Sequence, residues 1–314
     1  MLAPAAPRQQ QLYANASMTS WGGQVVHTNN TWHLYVTAFT NGCGLWPGWM
    51  TNSLVVHATS PSLSLPFVYQ DTVMDIYATN ADAMVDPTDG TIVVLAMGEA
   101  NLTKIERPCV KGSPVPLTPP PPMSTVLRAR HSKSPSGPWE ETQLDVPRGD
   151  LPNPSTYVHA NGTVTMIVHT CAVNSSAPSV KCFTILRAPS WRGPWRTIAE
   201  NFLDVPLNCS TNHTDPFYKC PCHIEDPAIW YDKPMGKWRV LMHQYPSRVQ
   251  ASTGLCQSDP DHYELVGGYA ESEGEDAAGA WNYDYFQPAY SNVVETHAAG
   301  SGMAPAKFGF WLFL

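Results

Sequence analysis

Charge is scarce in this chain. Of its 314 residues only 14% are Asp, Glu, Lys or Arg, and the formal charge is −8. No run of Lys and Arg occurs, so nothing supplies the basic footprint that neutralises phosphates, and nucleic acid is excluded as a partner. Long apolar runs are missing too. The apolar end, Phe308 to Leu314, is far too short to span a bilayer, so no membrane partner is expected. The start, Met1-Leu2-Ala3-Pro4-Ala5-Ala6-Pro7-Arg8, lacks the apolar core of a secretory leader. No amphipathic helix of useful length stands out, in keeping with an all-β chain.

What is present repeats. Four apolar strands begin at Trp32, Thr91, Thr163 and Trp238, each preceded by a short strand and a turn. Each is followed by a further strand and a Ser- and Pro-rich or acidic closing turn that ends on an aromatic: Ala58 to Phe67, His131 to Trp139, Ala188 to Trp195 and Ala270 to Trp281. A β-meander repeated at roughly seventy residues points to a propeller with insertions. The length exceeds what a single core usually fills, but repeats escape that limit because each packs only on its neighbours. The expectation is a five-bladed β-propeller over 20–295, with an N-terminal extension at 1–19 and an irregular tail at 296–314. Blade five is expected to start at Gly267 and take in Trp281, and to be incomplete. Turns are expected at Asn29-Asn30, Asp86 to Gly90 and Asn161-Gly162. The stretch from Asn101 to Pro122 reads as an insertion, since its closing run of four prolines, Pro119 to Pro122, cannot sit inside a sheet.

The cysteines, at 43, 109, 171, 182, 209, 220, 222 and 256, are even in number and compatible with disulfides. Asn-x-Ser/Thr sequons begin at Asn15, Asn29, Asn101, Asn161, Asn174, Asn208 and Asn212. Their density argues for a secretory route, so the protein is expected to be secreted, with a leader absent from this chain. Cys220-Pro221-Cys222-His223, with Cys209 and His213 nearby, fits no standard zinc finger spacing, and disulfides are the favoured reading. No metal site is assigned.

In a propeller the residues just before each innermost strand form a ring at the channel mouth. Here they are Trp21-Gly22-Gly23, Asn80-Ala81-Asp82, Asn153-Pro154-Ser155 and Glu225-Asp226-Pro227. Asp82, Glu225 and Asp226 gather at equivalent positions in a chain with few charges. Carboxylates converging in a partly desolvated funnel shift one another's pKa, which is what an acid and a base working at one pH require. Asp-Pro at a strand start also caps turns, so a purely structural role competes with the catalytic one.

The ring and the blade ends resemble the five-bladed propeller glycosidases of the arabinanase–levansucrase–invertase superfamily, closest to the glycoside hydrolase family 43-type group. The resemblance rests on Ser20-Trp21-Gly22-Gly23 with His33-Leu34-Tyr35, the Gly-Pro-Trp ends at 137–139 and 193–195, Asn153-Pro154, and Glu225 to Asp232. It implies an Asp base on the first blade, a second Asp that tunes and orients, and a Glu acid on a later blade. Glu225 matches the acid. Trp21-Gly22-Gly23 stands where the base would be, and Asn153-Pro154-Ser155 where the tuning Asp would be. Asp82 is the substitute base by blade geometry, and Asp226 the residue that holds Glu225.

Trp21, Trp46, Asn80, Asn153 and His223 are the candidate sugar contacts. Trp49, Trp230 and Trp281 are further stacking candidates, although Trp at Gly-Pro-Trp ends is expected to pack between blades. His297 is the position at which related propellers sometimes place a channel His near a metal ion. The expected activity is that of a secreted glycoside hydrolase-like monomer acting on oligo- or polysaccharides of plant or algal walls. A carbohydrate-binding pseudoenzyme and a structural extracellular propeller are the alternatives.

Overall fold

The structure, a computed structural model, describes residues 13, 18–43, 48–49, 51–99, 125–147, 153–172, 179–206, 220–249, 256–257, 266–283, 289–291, 293–294 and 306–307. They fall into two compact units, one reaching Gln143 and the other beginning at Leu144.

The first unit holds two antiparallel meanders. One orders β1 (Thr19–Thr28), β2 (Thr31–Phe39), β3 (Ser53–Ser60) and β4 (Val68–Met74). The next orders β5 (Ala78–Val85), β6 (Ile92–Glu99), β7 (Thr125–Ser132) and β8 (Glu140–Leu144). The second strands are the apolar ones because they are buried on both faces, between flanking strands and neighbouring sheets. Tyr35, Val55 and Val73 of one sheet pack on Ala83, Ile92, Val94 and Ala96 of the next. Each large side chain buried this way contributes about 2 kcal/mol.

The second unit repeats the plan. β9 (Ser155–Val158), β10 (Val164–Ala172), β11 (Ser179–Ala188) and β12 (Arg196–Ala199) form one sheet, with β13 (Leu203–Pro206) also on β11. The other orders β14 (Cys220–Asp232), β15 (Lys237–Val249), β17 (Val266–Ser272) and β18 (Trp281–Tyr283), with β16 (Cys256–Gln257) on β15. β19 (Tyr290–Ser291) pairs with β17, and β20 (Val293–Val294) with β21 (Ala306–Lys307). Ile167, Phe183 and Ile185 meet Ile224, Ile229, Trp238 and Met242 in one core.

The assignment of strands to blade five is corrected here. Among the described residues there are four meander sheets, of four, four, five and six strands, beside the two-stranded β20–β21 pair, and the segments expected to begin blade five complete the fourth meander. Arg239 pairs with Glu271 and Ser272 with Trp281, so β17 and β18 are the third and outer strands of the sheet that β14 begins. The misreading has a physical origin. Val266-Gly267-Gly268 is weakly apolar, and a long polar stretch separates it from β15, so it reads as a fresh start.

The closing turn is a structural repeat as well as a sequence repeat. In Ser-x-x-Gly-Pro-Trp the Gly N–H donates to the Ser carbonyl, from Gly137 to Ser134 at 3.1 Å and from Gly193 to Ser190 at 3.0 Å. Both glycines are left-handed, with φ of 87° and 94°. A Cβ there would meet Cδ1 of the following Trp at 2.8 Å and 3.2 Å, so only Gly lets the ring fold back. Trp139 then meets Tyr35 edge-on at 6.0 Å, and the Tyr35 hydroxyl donates to the Pro135 carbonyl at 3.0 Å. The turn of one sheet thus locks onto its neighbour. Trp281 packs on Phe202 at 4.9 Å in the same between-sheet manner.

Candidate functional site

Three innermost strands carry a bulge, and each bulge holds a left-handed residue. In β1 the register shifts between Trp21 and Gly23 around Gly22, φ 58°. In β5 it shifts between Thr79 and Asp82 around Asn80, φ 53°. In β14 it shifts between Glu225 and Ala228 around Asp226, φ 49°. Bulges re-aim side chains and recur beside active sites, and Asn and Asp are the non-Gly residues that best tolerate this backbone. Asn153-Pro154 stands at the matching place, just before β9.

In the second unit the Asp226 carboxylate is held from two sides. The Asn153 side-chain amide donates to one oxygen at 2.6 Å, and His243 Nδ1 donates to the other at 3.0 Å. Asn153 and His243 are buried, and the Asp226 side chain is 12% exposed. Because an ionised carboxylate only accepts, His243 must carry its proton on Nδ1. Ser155 adds a second tie between the same sheets, accepting the Ile229 N–H at 3.1 Å. Glu225 is half-buried and sits opposite His243 in the ladder. Next to His243, Gln244 is buried and donates to the Tyr283 hydroxyl. Gly268 makes room for it, since a Cβ there would lie 2.5 Å from Gln244 Nε2.

In the first unit Trp21 is half-buried, opposite Thr37. Thr37 Oγ1 accepts the Ala81 N–H at 3.2 Å, which ties β5 to the preceding sheet, while Thr79 donates to the Asn80 side chain at 3.1 Å. Asp82 is only 4% exposed. Trp46 and His297 lie outside the described residues, as do Cys209 and His213 of the alternative zinc reading. His223 is a backbone position of β14 opposite Tyr245. Among the described residues no group of three His, Cys, Asp or Glu is placed to hold a metal ion.

The structure therefore brings Asn153 and Asp226 into contact across 73 residues of sequence. The residues that sequence reasoning missed are His243 and Gln244. Their signal is two polar side chains directly after the apolar run Val240-Leu241-Met242, in the middle of β15.

No protein-family model and no curated protein matches the chain. Solved structures do. A thermostable family-43 glycoside hydrolase matches with TM-score 0.54 at 12% identity, over 88% of this chain and 75% of its own. An endo-arabinase from Bacteroides thetaiotaomicron matches with TM-score 0.50 at 11% identity, over 86% and 81%. An exo-β-1,3-galactanase from Phanerochaete chrysosporium matches with TM-score 0.49 at 10% identity, over 84% of this chain, which spans about half of that protein, 49%. At such identities the likeness is one of fold, the all-β propeller of family-43 glycoside hydrolases.

Proposed function

We propose that the protein is a secreted glycoside hydrolase-like propeller acting on wall polysaccharides, with Glu225 as the general acid. The observation that carries the reading is the clamp on Asp226. A left-handed carboxylate, bonded to Asn153 and to buried His243, fixes the strand backbone beside a half-buried Glu225. A general acid must be held still and partly dry so that its proton goes to the leaving oxygen and not to bulk water. In this reading Glu225 protonates the glycosidic oxygen and Asp226 positions it through the backbone they share. Asp82 belongs to the first unit, and Asp82→Asn tests it as a base separately. Secretion is supported by the density of sequons and by an even number of cysteines, compatible with disulfides.

A second reading, a carbohydrate-binding protein without turnover, is favoured by two features. The β1 bulge carries Trp21-Gly22-Gly23 and no carboxylate, and Asp82 is almost fully buried. Assay of the purified protein on a panel of arabinans, xylans, galactans and aryl glycosides, beside Glu225→Gln and Asp82→Asn, separates the two. Turnover lost in Glu225→Gln supports the first reading. Binding without turnover in the unmodified protein selects the second.

A further inference from the structure

In the second unit, the hairpin ends of β9–β10 and β14–β15, with Arg187 and Glu275, line an open surface cavity of about 290 Å³. It lies at the far end of the strands from Asn153 and Asp226: β9 runs from just after Asn153 to just before His159, and β14 runs from Asp226 toward Tyr231. Its size is at the lower limit for a small-molecule site, enough for one sugar ring. The wall is mixed. Tyr231 and Trp238 supply aromatic surface, while His159, Arg187 and Glu275 supply donors and acceptors. Burial, with Arg187 beside it, holds His159 below its ordinary value, and its Nε2 is already bonded to Thr165 Oγ1 at 3.0 Å, which leaves Nδ1 for an occupant.

One wall residue identifies the occupant. Asn161 lines the cavity, is exposed, and opens the sequon Asn161-Gly162-Thr163. Its Oδ1 accepts the Thr163 N–H at 3.1 Å, a local turn that fixes the side-chain amide on the cavity rim. We propose that Asn161 is N-glycosylated and that the first N-acetylhexosamine of its glycan seats in this cavity, against Tyr231, Arg187 and Glu275. The inference rests on the secretory reading given above. The sugar comes from a polyprenyl-diphosphate-linked oligosaccharide of the secretory pathway. The amide nitrogen bonds C1 of the first sugar and gives up one proton, the C1–phosphate bond breaks, and the polyprenyl diphosphate leaves. The attached glycan would cover the end of the second unit away from Asp226 and leave the Glu225 end open. Asn29 is the internal comparison: it opens the sequon Asn29-Asn30-Thr31 in the exposed β1–β2 turn of the first unit.

The test is glycopeptide mass spectrometry of the full chain made in a eukaryotic secretory host. It is followed by trimming to one sugar per site and timed release of that sugar by a glycopeptide amidase. Asn161 is expected to be occupied. Its sugar should be released from the native protein at least tenfold more slowly than from the denatured protein. Glu275→Ala, at an exposed position, should remove most of that protection without unfolding the chain, as should Tyr231→Ala. Occupancy of Asn29 or other sequons with a bare Asn161 overturns the proposal and leaves secretion standing. No occupied sequon overturns both. An occupied Asn161 whose sugar is released at the same rate in native, denatured and Glu275→Ala protein overturns the seat.

Discussion

Asp226 is where backbone and side chain make the same demand. Its left-handed backbone suits Asp or Asn, and its carboxylate satisfies two buried donors. Asp226→Ala strands both donors and strains the backbone, so urea unfolding should show a loss of about 2–3 kcal/mol. Glu225→Gln keeps shape and burial and should cost less than about 1 kcal/mol. Equal losses for the two would mean that Asp226 is not the anchor. Gly268 offers a second test. A methyl there meets Gln244 Nε2 at 2.5 Å and Met242 Cγ at 2.9 Å, so Gly268→Ala should destabilise by about 1–3 kcal/mol.

At the scale of elements, β2, β3 and β4 carry a buried imidazole chain. His33 Nδ1 lies 2.9 Å from His57 Nε2, and His57 Nδ1 lies 3.4 Å from Asp71. Tyr35 stacks on His57 at 4.9 Å. Burial first, then the neighbouring His57, holds His33 below 6.5. Burial also holds His57 below 6.5, although Asp71 opposes it. His159 is depressed in the same direction. Each of these groups binds its proton more weakly in the folded chain than in the unfolded one. The unfolded state therefore takes up more protons as pH falls below 6.5, and stability drops with it. The urea midpoint should fall between about pH 7.5 and about pH 5.5, above the range in which ordinary carboxylates titrate, and the slope should shrink in His57→Gln. A midpoint that is flat over that interval would contradict the buried-imidazole account.

At the scale of the whole molecule, a net charge of −8 with few charged residues suits a neutral polymer. Binding to a neutral arabinan or galactan should change little between about 50 mM and about 500 mM salt, because no long-range charge attraction is screened. A steep salt dependence, measured by affinity electrophoresis at several ionic strengths, would point to a polyanionic ligand instead. Much of this scale was legible in the chain. The four apolar second strands and the Gly-Pro-Trp turns are set by local chemistry, so they can be read directly. The ring residues Asn153 and Asp226 were also legible as neighbours, since strand starts of successive blades converge. The blade membership of Val266 to Tyr283 was not, because strand pairing across a long polar segment is a tertiary choice with no local signature. His243 was hidden for a similar reason: a polar residue that follows an apolar stretch does not reveal that a carboxylate of the preceding strand faces it.

The most direct test of the proposed chemistry is the leaving-group dependence of Glu225→Gln on a series of aryl glycosides of one sugar. A general acid matters most when the departing oxygen is basic. The account predicts a loss on the order of 10²–10⁴-fold with poorly acidic phenols or alcohols, and a much smaller loss with nitrophenol-type groups that leave unaided. The same loss across the whole series, or none anywhere in it, would contradict the assignment of Glu225 as the proton donor.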